Sequence, residues 1–170
     1  MENQIKEPYV LILSGIPCSG KSTFTDDIVL NFDNHGPYGF YKTVSISRDT
    51  IREELFPEKY TYNERNEDLV TKNFYRHLNT AFINKQNIII DNTNCKEKDI
   101  DRLLNTYFLQ NYNKHIVFFD IPLYKAYYRN IIRYFKSENK KWIPFKVIKR
   151  FYNNYKKINR EKYARYILHQ

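Results

Sequence analysis

Gly15-Ile16-Pro17-Cys18-Ser19-Gly20-Lys21-Ser22 follows an apolar run, Tyr9-Val10-Leu11-Ile12-Leu13, and opens a segment with Phe24, Ile28 and Phe32 at helical spacing. The run reads as a buried strand and the segment as a helix, and between them G-x-x-x-x-G-K-S is a phosphate-binding P-loop. Gly15 and Gly20 let the backbone double back so that successive N–H groups aim at phosphate oxygens, reinforced by the positive end of the following helix. Lys21 adds a point charge that can follow the β- and γ-phosphates, and the Ser22 hydroxyl suits Mg²⁺. ATP is therefore expected on Gly15, Ser19, Gly20, Lys21, Ser22 and Thr23, with the metal on Ser22.

The surrounding composition is that of a soluble fold. A chain of 170 residues with 42% hydrophobic content has room for one domain with a genuine core. No run approaches the roughly 18 apolar residues of a membrane span. Met1-Glu2-Asn3-Gln4-Ile5-Lys6-Glu7 is polar, so no secretory signal is visible and a cytoplasmic, reducing address is expected. Cys18 and Cys95 form neither a metal pattern nor a disulfide framework.

Charge is distributed unevenly. Residues 121–170 carry 14 Lys or Arg against two acids, Glu138 and Glu161, a net of +12, and the whole chain carries +9. Such asymmetry points to a polyanionic partner, nucleic acid first, the alternative being a solvated basic face. The 16 tyrosines could stack on bases, but Asn, Lys and Ile are raised along with them, so a general compositional bias explains most of them equally well.

Strand and helix patterns alternate along the chain. After the first helix, Asn34-His35-Gly36-Pro37-Tyr38-Gly39 reads as a loop and Thr43–Ser47 as a partly buried edge strand. Arg48–Phe56 reads as a short helix ended by Pro57, with Ile51, Leu55 and Phe56 toward the core and Asp49 and Arg52 on one face. Thr61-Tyr62-Asn63-Glu64 predicts a capping box before a long helix bearing Tyr75, Leu78 and Phe82. Ile88-Ile89-Ile90 predicts a central parallel strand, and Asn94 with Glu97 a helix start, its stripe running through Ile100, Leu103, Leu104, Tyr107 and Phe108.

His115–Asp120 predicts a fourth strand closed by Pro122. A helix over about 123–135 then sets Arg129 and Arg133 one turn apart, Ser137–Lys141 predicts a lid tip, and Pro144 opens a last helix on Phe145, Ile148, Tyr152 and Tyr155. Neither repeat nor linker divides the chain, so residues 1–170 are read as a single α/β domain with a parallel sheet of about four strands flanked by helices.

Phosphoryl transfer needs an aligned nucleophile, a base near its proton and cations on the developing charge. Asp49, at a strand end, is the candidate base, or else an acid that stabilises a helix dipole. Arg52 either holds an acceptor phosphate or pairs with Asp49 or Glu53. Arg129 and Arg133 belong either to a helical lid over ATP or to a solvated face. Asp91 supports Mg²⁺ through water or caps the next turn. Thr93 and Asn94 offer donors and acceptors at the same edge, Asn94 being equally a helix cap.

These elements resemble the 5′-hydroxyl polynucleotide kinases, typified by the kinase domain of phage polynucleotide kinase. The likeness runs through Gly15–Thr23, Ser47-Arg48-Asp49-Thr50-Ile51-Arg52, Ile90-Asp91-Asn92-Thr93-Asn94, and Arg129-Asn130-Ile131-Ile132-Arg133 with Ile143-Pro144 after it. It covers about Tyr9 to Ile158. The resemblance implies a P-loop kinase fold with a helical lid over about 123–160, Asp49 as general base, and Arg52 on phosphate with Arg48 beside it. It also implies Arg133 on the transferring phosphoryl, Arg129 as a second lid cation, and Thr93 and Asn94 by the acceptor channel. No D-x-D-x-T phosphatase motif is present, so 3′-phosphatase activity is expected to be absent. Cys18 stands where glycine is usual, which matters only if that position needs positive φ.

The expected activity is transfer of the γ-phosphate of ATP to a 5′-hydroxyl end of DNA or RNA. A ligase or phosphatase on another chain is left open as a companion. Two rivals stand beside it: a P-loop kinase of a small-molecule or protein acceptor, and an ATP-gated nucleic-acid-binding module without catalysis.

Overall fold

All four apolar runs become parallel strands. The computed structural model describes residues 8–32, 41–58, 60–136 and 142–168. In chain order these form β1 (Tyr9–Ser14), α1 (Lys21–Phe32), β2 (Thr43–Ile46), α2 (Arg48–Leu55), α3 (Glu64–Ile83), β3 (Asn87–Ile90), α4 (Glu97–Leu104), β4 (Asn113–Phe118), α5 (Leu123–Lys136) and α6 (Phe145–Tyr155). The sheet order is β2-β3-β1-β4, with Val10 beside Ile88, Leu11 beside His115, and Val44 beside Ile88. The expected loop Asn34–Gly39, lid tip Ser137–Lys141 and first seven residues lie outside the described residues, as does the side chain of Phe32.

Because helices cover both faces, the central strands are apolar throughout rather than alternating. Val10, Ile12, Ile88 and Ile90 join the larger core with Ile51 of α2, Phe74 and Leu78 of α3, Ile100 of α4 and Ile148 of α6. Leu11, Leu13, Ile89 and Val117 point the other way, against Phe24, Ile28 and Val29 of α1. Order reverses at β1, between β3 and β4, and in open parallel sheets the crevice at that reversal, at the carboxyl ends of the strands, receives the ligand. The P-loop sits there. Among the described residues, no helix is long and apolar enough to cross a membrane.

Several expected boundaries move for local reasons. Asn63, not Thr61, caps α3: its side chain accepts from the Asn66 N–H at 2.9 Å, while Asn66 donates back to the Thr61 carbonyl. α4 starts at Glu97 rather than Asn94, because Asn94 is drawn into the sheet. Its stripe also stops at Leu104; Tyr107–Leu109 is a separate 3-10 turn that buries Leu109 and leaves Tyr107 exposed. β4 begins two residues early, at Asn113, and Pro144 occupies the N-cap of α6 rather than its first turn. Phe145 is 42% exposed, so Ile148 and Tyr155 carry the burial of α6.

Candidate active site

The loop between β1 and α1 is shaped by backbone that few side chains tolerate. A Cβ on Gly15 would lie 2.8 Å from the Phe119 Cβ and 2.8 Å from Ser19 Oγ, so only glycine fits. Gly20 has φ of +105°, and Cys18 holds φ of 63°. Cys18 thus occupies a left-handed position, which costs a Cβ-bearing residue about 1–2 kcal/mol. The strand ends lock around the loop: Gly15 N–H donates to the Thr93 carbonyl at 2.9 Å, Ser14 Oγ to the Asn94 carbonyl at 2.9 Å, and Asn94 Nδ2 to the Leu13 carbonyl at 2.8 Å.

Lys21 is buried inside this curl. Its Nζ donates to the Gly15 and Ile16 carbonyls at 2.9 Å each and to Ser19 Oγ at 3.3 Å. Burial lowers its pKa, while Asp91 and, more weakly, Asp49 oppose that shift. The Ser22 hydroxyl hydrogen-bonds Asp91, whose carboxyl is raised by burial, held down by Ser22 and Lys21, and pushed up again by Asp49 and Asp26. Lys21, Ser22, Asp49 and Asp91 therefore share one electrostatic neighbourhood. Ser22 and Asp91 offer hydroxyl and carboxylate oxygens side by side, a donor set that suits a hard cation such as Mg²⁺, which takes its other ligands from water and phosphate. No group of three or more His, Cys, Asp or Glu able to cage a metal occurs among the described residues. Thr23 is exposed on the same first turn.

On the β2 side, Ser47 caps α2 by accepting the Asp49 N–H at 3.1 Å, and Asn92 Oδ1 accepts the Arg48 N–H at 2.9 Å. Asp49 is left with an 83% exposed side chain and, among the described residues, pairs with Arg52 Nη1 at 2.6 Å. Arg52 also forks onto Glu67 of α3 through Nε at 2.9 Å and Nη2 at 3.1 Å. Arg48 reaches the same carboxylate at 3.2 Å and Thr71 Oγ1 at 2.7 Å, and the Tyr60 hydroxyl donates to it as well. Burial alone would raise the Glu67 carboxyl; the Arg52, Tyr60 and Arg48 contacts outweigh it and hold the group down to about 2. Burial likewise works against the Arg52 charge, and Glu67 overturns it.

On the β4 side, α5 lies across the loop. Arg129 Nη1 donates to the Ser19 carbonyl at 3.2 Å and the Cys18 carbonyl at 3.5 Å. Arg133 Nη2 donates to Asn130 Oδ1 at 3.2 Å, and its buried Nε has no partner among the described residues. Asn130 is fully buried; its amide donates to the Ile143 carbonyl at 2.9 Å and accepts the Ile143 N–H at 3.3 Å, fastening α5 to the approach to α6. Burial raises the Cys18 thiol, with Arg133, Lys21 and Arg129 pulling it back.

The structure thus gathers Lys21, Ser22, Asp91, Arg129 and Arg133 around one loop, with Asp49 in electrostatic reach of Lys21 and Asp91, Arg52 against Asp49, and Arg48 on Glu67. Asn94 is different: it is buried, and its amide is committed to β1 rather than presented to a substrate. Sequence reading missed Glu67 and Asn130. Nothing local flags Glu67, because its arginine partners lie 15 and 19 positions away. Asn130 carries a signal, a polar residue four after Ala126 on the face that α5 buries.

The match to known families closes on the same span. Residues 10–158 match the AAA domain family AAA_33. The chain belongs to this family. Among solved structures it is similar to a chain of the Pnkp1/Rnl/Hen1 RNA repair complex, with 26% identity and a TM-score of 0.76 over 91% of this chain and 46% of that one. A second structure of the Pnkp1/Rnl/Hen1 complex matches with 27% identity and a TM-score of 0.59, over 83% and 44%. The chain therefore spans about half the length of these two. Kti12 of Chaetomium thermophilum, in complex with ADP-AlF3, shares the fold at 15% identity and a TM-score of 0.63 over 89% and 82%. The family member is thus a P-loop domain of kinase-like fold, and its likeness to the RNA repair structures agrees with the polynucleotide kinase resemblance in the sequence.

Proposed function

We propose that this protein is an ATP- and Mg²⁺-dependent kinase that phosphorylates the 5′-hydroxyl end of a polynucleotide. The observation that carries the reading is Asp49: an exposed carboxylate, oriented by Arg52, whose charge acts on both Lys21 and Asp91. A base at that place can meet a hydroxyl arriving opposite the P-loop.

Asp49 takes the proton of the 5′-hydroxyl as that oxygen bonds to the γ-phosphorus. The bond from phosphorus to the β–γ bridging oxygen breaks, and ADP leaves with its electron pair. Lys21, Arg129 and Arg133 offset the charge that spreads over the transferred group. Ser22 and Asp91 would hold Mg²⁺, which when bound would neutralise charge on the phosphate oxygens. Arg48 and Arg52, both steadied by Glu67, flank the acceptor and face its first phosphate, with Thr93 at the same edge. Asn94 shapes the end of β1 and is assigned no substrate contact.

A 5′-hydroxyl oligonucleotide incubated with γ-labelled ATP tests this. Label should reach the oligonucleotide with wild type and fall about 10²–10⁴-fold with Asp49→Asn. Absence of transfer by wild type, or equal transfer by both proteins, rejects the reading.

A further inference from the structure

α5 carries two rows of aromatic rings. The inner row is interlocked: Tyr127 meets Trp142 at 5.9 Å and Phe145 at 5.0 Å between ring centroids, and Tyr134 meets Trp142 at 5.7 Å. The outer row is open to solvent, although Phe135 meets the edge of Tyr134 at 5.5 Å between ring centroids. Tyr124, Tyr128 and Phe135 are 75%, 63% and 80% exposed and belong to neither core cluster. Their spacing of four and seven residues puts them on one stripe, with Ile131 and Ile132 filling the gap. Beside it on the helix runs a second stripe, Lys125, Arg129 and Lys136, all exposed. None of these cations forms an ion pair among the described residues, and Arg129, the middle member of that stripe, reaches the P-loop itself.

Building on the kinase reading, we propose that this outer face of α5 is a platform for unpaired nucleic acid, which holds a single strand by stacking its bases on Tyr124, Tyr128 and Phe135. Lys125 and Lys136 take the phosphates, while Arg129 stays on the P-loop carbonyls. From Tyr124 to Phe135 the helix rises about 16 Å, room for about three to five nucleotides at stacked or moderately stretched spacing. Charge chooses among occupants. The region from 121 onward has a net charge of +12, and a lysine-flanked aromatic stripe matches a strand with phosphates on one side and bases on the other. The core of a protein interface, in contrast, is depleted in lysine. Duplex ends keep their bases stacked on one another and gain only the phosphate contacts. The platform therefore selects acceptors with an unpaired 5′ stretch.

The test compares wild type with the combined variant Tyr124→Ser, Tyr128→Ser, Phe135→Ser, and with Tyr124→Phe, Tyr128→Phe, which keeps the rings. Anisotropy of a fluorescent single-stranded oligonucleotide should show about 10–100-fold weaker binding by the serine variant, as expected for lost stacking partners. The phenylalanine variant should bind as wild type does, and affinity for a blunt duplex should stay the same in all three. Transfer to a dinucleotide acceptor should be unchanged in the serine variant, which also shows that it is folded. Unchanged single-strand affinity, or an equal loss on duplex, overturns the proposal. So does a wild-type dimer that the serine variant splits, or ring-dependent binding to vesicles of anionic lipid without binding to the strand. If wild type transfers no label, or Asp49→Asn transfers as much as wild type, while ring-dependent strand binding persists, the kinase reading fails and the platform stands. Transfer without ring dependence does the reverse.

Discussion

Two pairs of arginines, one on α2 after β2 and one on α5 after β4, are held in opposite ways. Arg48 and Arg52 are tied to carboxylates, Glu67 and Asp49, within a cluster that also engages Tyr60 and Thr71. Among the described residues, Arg129 and Arg133 hydrogen-bond neutral oxygens, the Cys18 and Ser19 carbonyls and the Asn130 amide. A guanidinium paired with acid is fixed in place but largely neutralised, whereas one held by carbonyls keeps its full charge for an anion. The β2 side is built for position and the β4 side for charge.

The largest effect should come from the unneutralised pair. Arg129→Ala and Arg133→Ala should each reduce kcat about 10²–10³-fold with little change in acceptor KM, measured as label transfer under saturating oligonucleotide. Arg48→Ala should act mainly on acceptor KM; equal loss of kcat from both sides would erase the distinction. Next, Glu67→Gln releases both clamped arginines. It should raise acceptor KM about tenfold and cost about 2–3 kcal/mol of stability in a urea titration, because two partly buried guanidiniums lose their shared counter-charge.

The same carboxylate gives a pH signature. Glu67 titrates at about 2 in the folded chain, below its ordinary value of 4.5, so its contribution is complete above the ordinary value and disappears as pH falls toward 2. Thermal unfolding followed over that window should show wild type losing stability more steeply than Glu67→Gln. The smallest change, Cys18→Gly, relieves the left-handed strain in the loop that separates the two sides. It should stabilise the chain by about 1 kcal/mol and raise Tm by about 2–4 °C in calorimetry. A fall in Tm would mean that the Cys18 side chain contributes more by packing beside Asn130 than its backbone costs.

The sheet could be read from the chain because its strands are short apolar runs bounded by turn residues, and the P-loop because its spacing is set by backbone geometry. The arginine motifs were equally visible, since their members lie three or four apart on a helix. What stayed hidden depends on contacts between distant segments. Glu67 looks like any acid in the first turn of a helix, where the dipole alone would favour it. Asn94 has the sequence of a cap, yet the ladder past β1 draws its side chain inward. The conditional expectation about Cys18 could be resolved only by its backbone angle.

Asn130 closes both its donor and its acceptor on Ile143, 13 positions along the chain. Such a clasp makes the middle of α5 and the entry to α6 a single mechanical piece. Any swing over the nucleotide must then pivot outside it, at Pro122 ahead of α5 and beyond Tyr155 behind α6. The Ile143 amide should accordingly exchange its hydrogen in step with the amides of α5, reporting one opening event rather than two.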